Sequence, residues 1–156
     1  MRGAGPARPL AKGTYNACAG ADLLAFITAA ADHDPDVPLF MMAHSLGGTA
    51  ALNMALDFPR ETARLAGLVT IGTPLDMMAT SRRFSRHRNR VYGRHMLLAL
   101  KHIAGTAPGI SNETLAAAFS ARSVREFDDR VTAPMAGHRN ACLLYTSPSP
   151  RDPTKS

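Results

Sequence analysis

Ala43-His44-Ser45-Leu46-Gly47-Gly48 sets a serine among small residues, directly after the apolar run Val37–Ala43 and directly before the alanine-rich Thr49–Leu56. A serine hydroxyl attacks an acyl carbon when three conditions meet. It must stand clear of the backbone on a sharp turn, a base must take its proton, and N–H donors must face the oxyanion that forms. A strand running into a helix through G-x-S-x-G provides the turn, because strand and helix approach too closely there for side chains. In this chain Ala43 stands at the first glycine position and Gly47 at the second, with Gly48 following. The elbow is therefore read as Ala43, His44, Ser45, Gly47 and Gly48. Ser45 is the candidate nucleophile, and the backbone N–H of Leu46, at the start of the helix, is the candidate oxyanion donor.

The base is harder to find. His44 adjoins Ser45, but side chains diverge on a sharp turn, and the residue before such a serine packs by the pocket wall. His33 stands beside Asp34 at a helix end and reads as solvated. His87, His95 and His102 belong to a basic helical stretch and read as surface residues, whereas His138 follows Gly137 in an irregular segment. None of these has the context of a catalytic base.

The elements that must hold the serine follow from periodicity. Leu23, Leu24, Ile27 and the alanines after them space as one face of a helix, which Asp34-Pro35-Asp36 breaks. "VPLFMMAH" is a short apolar run suited to a strand buried on both faces. "LGGTAALNMALDFP" reads as a helix ended by Pro59, and Leu65 to Ile71 as a second strand closed by Gly72-Thr73-Pro74. Helix, strand, helix, strand with short connections implies an α/β fold, parallel strands with crossover helices. Ser81 to Ser120 changes to a polar helical character, with helices expected near Tyr92–Ile103 and Asn112–Ala121 and a cap at Ser111 or Asn112. Residues 123–141 show little periodicity and are expected to be extended or turn-rich, and the tail "TSPSPRDPTKS" is expected not to pack.

The 156 residues suffice for one domain, and 46% apolar content is that of an ordinary globular protein. No apolar stretch reaches the roughly 20 residues of a membrane helix. Met1-Arg2-Gly3-Ala4-Gly5-Pro6 lacks a signal-peptide core, so the expected location is cytoplasmic. Cys18 and Cys142 match no metal or redox spacing; no metal or organic cofactor is implied. The net charge of +6 owes much to "SRRFSRHRNRVYGRH", Ser81 to His95, where no acid interrupts the arginines. That stretch reads as a solvated face beside a helix, and it could also track a phosphate backbone or an anionic surface. It carries no zinc-finger, basic-zipper or RNA-recognition signature, so no nucleic acid partner is expected.

Three stretches together resemble the α/β-hydrolase superfamily and, within it, the YheT-like branch of esterases. "MRGAGPARPL" resembles the R-G-x-G-x-S-type segment after the fourth strand, and "AHSLGGTAAL" resembles the G-F-S-L-G-G-N elbow. "VREFDDRVTAP", Val124 to Pro134, with Gly137 after it, is similar to E-F-D-D-x-x-T-A-P-x-x-G-F. The elbow alone points only to the superfamily; the third stretch is more specific, and all three agree in order and spacing. Ala43 departs from the branch's glycine, His44 from its aromatic residue and His138 from its phenylalanine.

The resemblance implies an incomplete α/β-hydrolase core over residues 1–74 with Ser45 as nucleophile and Leu46 N–H as one oxyanion donor. It implies a helical cap over 75–122 and a segment, 123–141, that returns toward the core. The order nucleophile, acid, histidine places both partners of Ser45 downstream, and it makes Asp128 and Asp129 neighbours of the cap rather than the catalytic acid. "CLLYTSPSPRD", Cys142 to Asp152, reads as a translated transposase-type sequencing adapter, so 142–156 is expected to be a disordered, adapter-derived tail. The expected protein is a fragment of a serine hydrolase of carboxylic esters, lipid esters included. Its acid, base and second oxyanion donor are lost by truncation, and the fragment is inactive. The alternative is a non-catalytic module that holds an anionic partner, membrane lipid or nucleic acid, through its arginine-rich cap.

Overall fold

The computed structural model describes residue 3, residues 5–10 and residues 15–146. Residues 16–75 form one compact unit; residues 76–146, with Gly5–Leu10, form a second.

The first unit runs α1 (Gly20–His33), β1 (Leu39–His44), α2 (Leu46–Asp57), α3 (Pro59–Thr62), β2 (Leu65–Ile71). The strands are parallel, with Met41 beside Leu68, Ala43 beside Thr70 and His44 beside Ile71. Parallel neighbours need a crossover, and α2 with α3 supplies it. Pro59 opens α3, where its missing N–H costs nothing. α1 packs on α2 through buried Ile27, Ala50, Ala51 and Met54. The approach is close because Gly20 has no side chain: a Cβ there would lie 3.2 Å from Met54 Cα. Asn53, buried on α2, donates from Nδ2 to Ala17 O at 3.0 Å and so ties α2 to the chain entering α1.

The strands are not buried on both faces, which corrects the reading of their continuous apolar runs. Exposure alternates along β1, and Phe40 (70%) and Met42 (76%) stand open on the same face as Val69 and Ile71. The continuous apolar run fits a strand covered twice, but only the Met41–Ala43–Leu68–Thr70 face is partly covered among the described residues.

The second unit is helical: α4 (Met77–Phe84), α5 (Arg90–Thr106), α6 (Asn112–Ser120) and α7 (Val124–Phe127). A π-helical turn over Asp128–Thr132, α8 (Ala133–Met135) and α9 (Ala141–Thr146) complete it. Its core joins Leu97 and Ala104 of α5 to Ala118, Ala121, Phe127 and Val131. Side-chain caps start three of the helices. Asp76 Oδ1 accepts from Ala79 N at 2.8 Å, Ser111 Oγ from Thr114 N at 3.1 Å and Ser123 Oγ from Glu126 N at 3.1 Å.

Three further expectations differ from the structure. Residues 124–135 are continuously helical rather than extended, because the Ser123 cap starts a helix and Val124, Phe127 and Val131 bury on one side of it. Residues 142–146 are not disordered: Asn140 Oδ1 accepts from Leu143 N at 3.0 Å to start α9, and Leu144 and Tyr145 bury. Gly5–Leu10, assigned from sequence to the strand unit, belongs to the helical one, where Arg8 donates to Thr106 Oγ1 at 3.0 Å. The rest of the tail, 147–156, and positions 1, 2 and 4 of the Arg-Gly segment lie outside the described residues. Among the described residues, no helix is long and apolar enough to cross a membrane.

Candidate active site

Ser45 occupies the single residue between the end of β1 and the start of α2. Its backbone has φ 53° and ψ −129°. Among the described residues it is the one non-glycine with positive φ. An L-residue in that region carries strain of about 1–3 kcal/mol, so the surroundings must enforce it. They do so from both sides. Ser45 N donates to Ile71 O at 2.9 Å, extending the ladder to β2, and Ser45 O accepts from Gly48 N at 2.9 Å, closing the first turn of α2. The side chain makes no capping bond to its own helix and is exposed, so the hydroxyl stands free of the backbone that holds it.

Gly48 is buried and fixes how near α2 sits to the end of β2. A Cβ on Gly48 would fall 3.0 Å from Thr73 Cβ and Cγ2 and closer still to Thr73 Oγ1. Thr49 Oγ1 donates to Pro74 O at 3.0 Å one step further along. Thr49, Thr73 and Pro74 thus brace the turn from behind, a role the sequence signals only by the Gly72-Thr73-Pro74 end of the strand. Ala43 lies beside Thr70 on the half-covered face of the sheet. Leu46 and Gly47 are the first residues of α2, and the first N–H groups of a helix have no intrahelical acceptor. Those donors start where the serine sits, an arrangement that can hold the negative oxygen formed when a hydroxyl there attacks an acyl carbon.

Strand alternation puts His44 on the exposed face with Phe40 and Met42, and its Nε2 lies 3.8 Å from where a Cβ on Gly72 would stand. Asp128 and Asp129 are occupied within the helical unit. Asp128 accepts from Tyr145 Oη at 2.5 Å and Thr132 Oγ1 at 2.8 Å, and Asp129 from Ala141 N at 2.9 Å. Burial raises the Asp128 carboxyl above its ordinary range, opposed by its two hydrogen bonds. Burial, then the Asp128 charge and hydrogen bond, push the Tyr145 hydroxyl up.

A parallel pair joined by a helical crossover, with a serine in a positive-φ turn at the strand's end, defines the setting of an α/β-hydrolase. The chain matches the family model described as serine aminopeptidase, S33, over residues 15–131, and it belongs to that α/β-hydrolase family. It is similar to "Putative esterase YheT" of Escherichia coli (strain K12), 31% identical over 116 residues. That match takes in 69% of this chain and 33% of the relative, so the chain spans about a third of the relative's length. No solved structure matches.

Proposed function

We propose that this chain carries the nucleophile of a serine hydrolase that cleaves carboxylic esters. Ser45 Oγ attacks the acyl carbon, the tetrahedral oxygen is held in part by Leu46 N–H, and collapse expels the alcohol and leaves an acyl-serine that water then hydrolyses. The observation that carries this reading is the Ser45 backbone, φ 53° and ψ −129°, kept in a costly conformation at the mouth of a helix. The ester class rests on the printed name of the relative; the family description names an aminopeptidase, whose amide substrates are the competing class.

The base and its carboxylate partner come, in this reading, from residues beyond the 156 given, and the chain alone turns over no substrate. His44 lies on the exposed face of β1 beside Gly72, and Asp128 and Asp129 are committed to other bonds. The test is fluorophosphonate labelling of the parent protein and its Ser45→Ala variant, with turnover of p-nitrophenyl esters and amino-acid p-nitroanilides. Labelling and ester turnover lost in the variant support the proposal. Equal labelling of both removes Ser45 as nucleophile, and turnover of the anilides alone moves the substrate class to amides.

A further inference from the structure

The arginine-rich part of the helical unit is built as a fixed surface rather than as a loose basic loop. Arg86 N donates to Arg83 O at 3.2 Å, Asn89 N to Arg86 O at 2.9 Å and Asn89 Nδ2 to Arg83 O at 2.7 Å. The Phe84 and Tyr92 rings meet at 5.6 Å. Gly93 lets the end of α4 come close: a Cβ there would lie 3.1 Å from Phe84 O. These contacts gather the end of α4, its connection and the start of α5 into one patch that carries Arg82, Arg83, Arg86, Arg88, Arg90 and Arg94, all but one of them within nine positions.

All six arginines are exposed, and among the described residues none is ion-paired. Residues 77–112 contain no aspartate or glutamate, so the sequence provides no local counter-charge. The first turn of α5 also lacks an acid, and it places arginine at the positive end of the helix dipole, where a cation is disfavoured. Local stability alone does not account for that arrangement; an external anion does.

Apolar side chains decide which anion. Val91 is 84% exposed and Leu98 57% exposed. Their seven-residue separation puts them on one face of α5, with Arg94, His95 and His102 beside them. Leu97, Leu100 and Ala104 take the opposite side into the core. On a polynucleotide, two open aliphatic side chains in the middle of the basic face would meet phosphates and water. On a bilayer they enter the boundary between headgroups and acyl chains while the arginines above them meet anionic headgroups.

We infer that the α4–α5 surface, Arg82 to Leu98, docks this protein on a membrane surface that carries anionic phospholipid. Docking is peripheral: Val91 and Leu98 provide the apolar contact, and the arginines provide the selection for negative charge.

The test is co-sedimentation of the full chain with vesicles of phosphatidylcholine alone or mixed with phosphatidylglycerol. Partitioning onto the mixed vesicles is expected to exceed that onto the neutral ones by about tenfold or more. It should weaken as salt rises from about 0.1 M to about 1 M and the screening length shortens from about 10 Å to about 3 Å. Arg82→Gln with Arg83→Gln is expected to lower it by roughly fivefold per charge. Val91→Ser with Leu98→Ser keeps every charge and is expected to lower it by roughly tenfold. These four positions are exposed, and circular dichroism of each variant checks that the helices persist. Equal binding to neutral vesicles overturns the inference. So does binding indifferent to Val91 and Leu98 but displaced by single-stranded polynucleotide, which would assign the surface to nucleic acid.

Discussion

Thr73 fills the space in which any side chain on Gly48 would have to lie. The threonine ends the β2 connection and the glycine sits in the first turn of α2, so this one contact sets how closely the helix approaches the strand end behind Ser45.

Replacing Gly48 by alanine is therefore expected to destabilise the strand unit by about 1–3 kcal/mol, the usual cost of overpacking. Thr73→Ala alone should be nearly neutral, because Thr73 Oγ1 is buried with no hydrogen-bond partner among the described residues and its loss removes an unsatisfied group. The double variant should recover part of the loss, since the clash falls mainly on the threonine hydroxyl. Urea midpoints of all four proteins give the coupling, and strict additivity would refute the contact.

The positive φ of Ser45 separates stability from chemistry at one position. Ser45→Gly should gain about 1 kcal/mol, because glycine enters that region without a side-chain penalty. Ser45→Ala keeps the strain and should stay within about 0.5 kcal/mol of the parent. Denaturation of the three proteins orders them; a glycine variant less stable than the alanine variant would mean the bend is not strained.

Asn53 is the polar group buried most deeply in α2, and its Nδ2 satisfies Ala17 O. Asn53→Ala should cost about 1 kcal/mol: it leaves that carbonyl buried without a donor, offset in part because Asn53 Oδ1, buried with no partner among the described residues, is removed with it. Hydrogen exchange should show the loss first in α1, whose entry the bond fixes. Unchanged protection of the α1 amides would show that packing on Met54 alone holds the helix.

Much of this was legible in the residues around Ser45. An apolar run, a serine, paired glycines and an alanine-rich run can be satisfied by few backbones, so β1, the bend and α2 follow almost residue by residue. Which face of β1 is covered was not legible. Leu39 to Ala43 are all apolar, and a run without period-2 alternation carries no record of its neighbours. The helix from Val124 was concealed by the Asp128-Asp129 pair and Pro134. Yet Ser123-Val124-Arg125-Glu126 has the spacing of a capping box, and Val124, Phe127 and Val131 have helical spacing; both signals were there to use. The bond from Tyr145 to Asp128 joins positions 17 apart, and no local pattern announces it.

That pair makes the helical unit sensitive to pH. Burial raises the Asp128 carboxyl above its ordinary value of 3.8, so the folded unit holds a proton that the unfolded chain has released. The stability this provides is complete below 3.8 and is lost as pH rises through the higher native value, then stays flat. Asp128→Asn removes the titration and should flatten the profile across that window. Tyr145→Phe deletes a hydrogen bond that favours the charged carboxylate, so the loss should extend to higher pH than in the parent. Thermal or urea midpoints of the three proteins from acid to neutral pH decide the matter. A parent that gains stability from pH 3.8 upward to the same extent as Asp128→Asn would mean that Asp128 carries no extra proton in the fold.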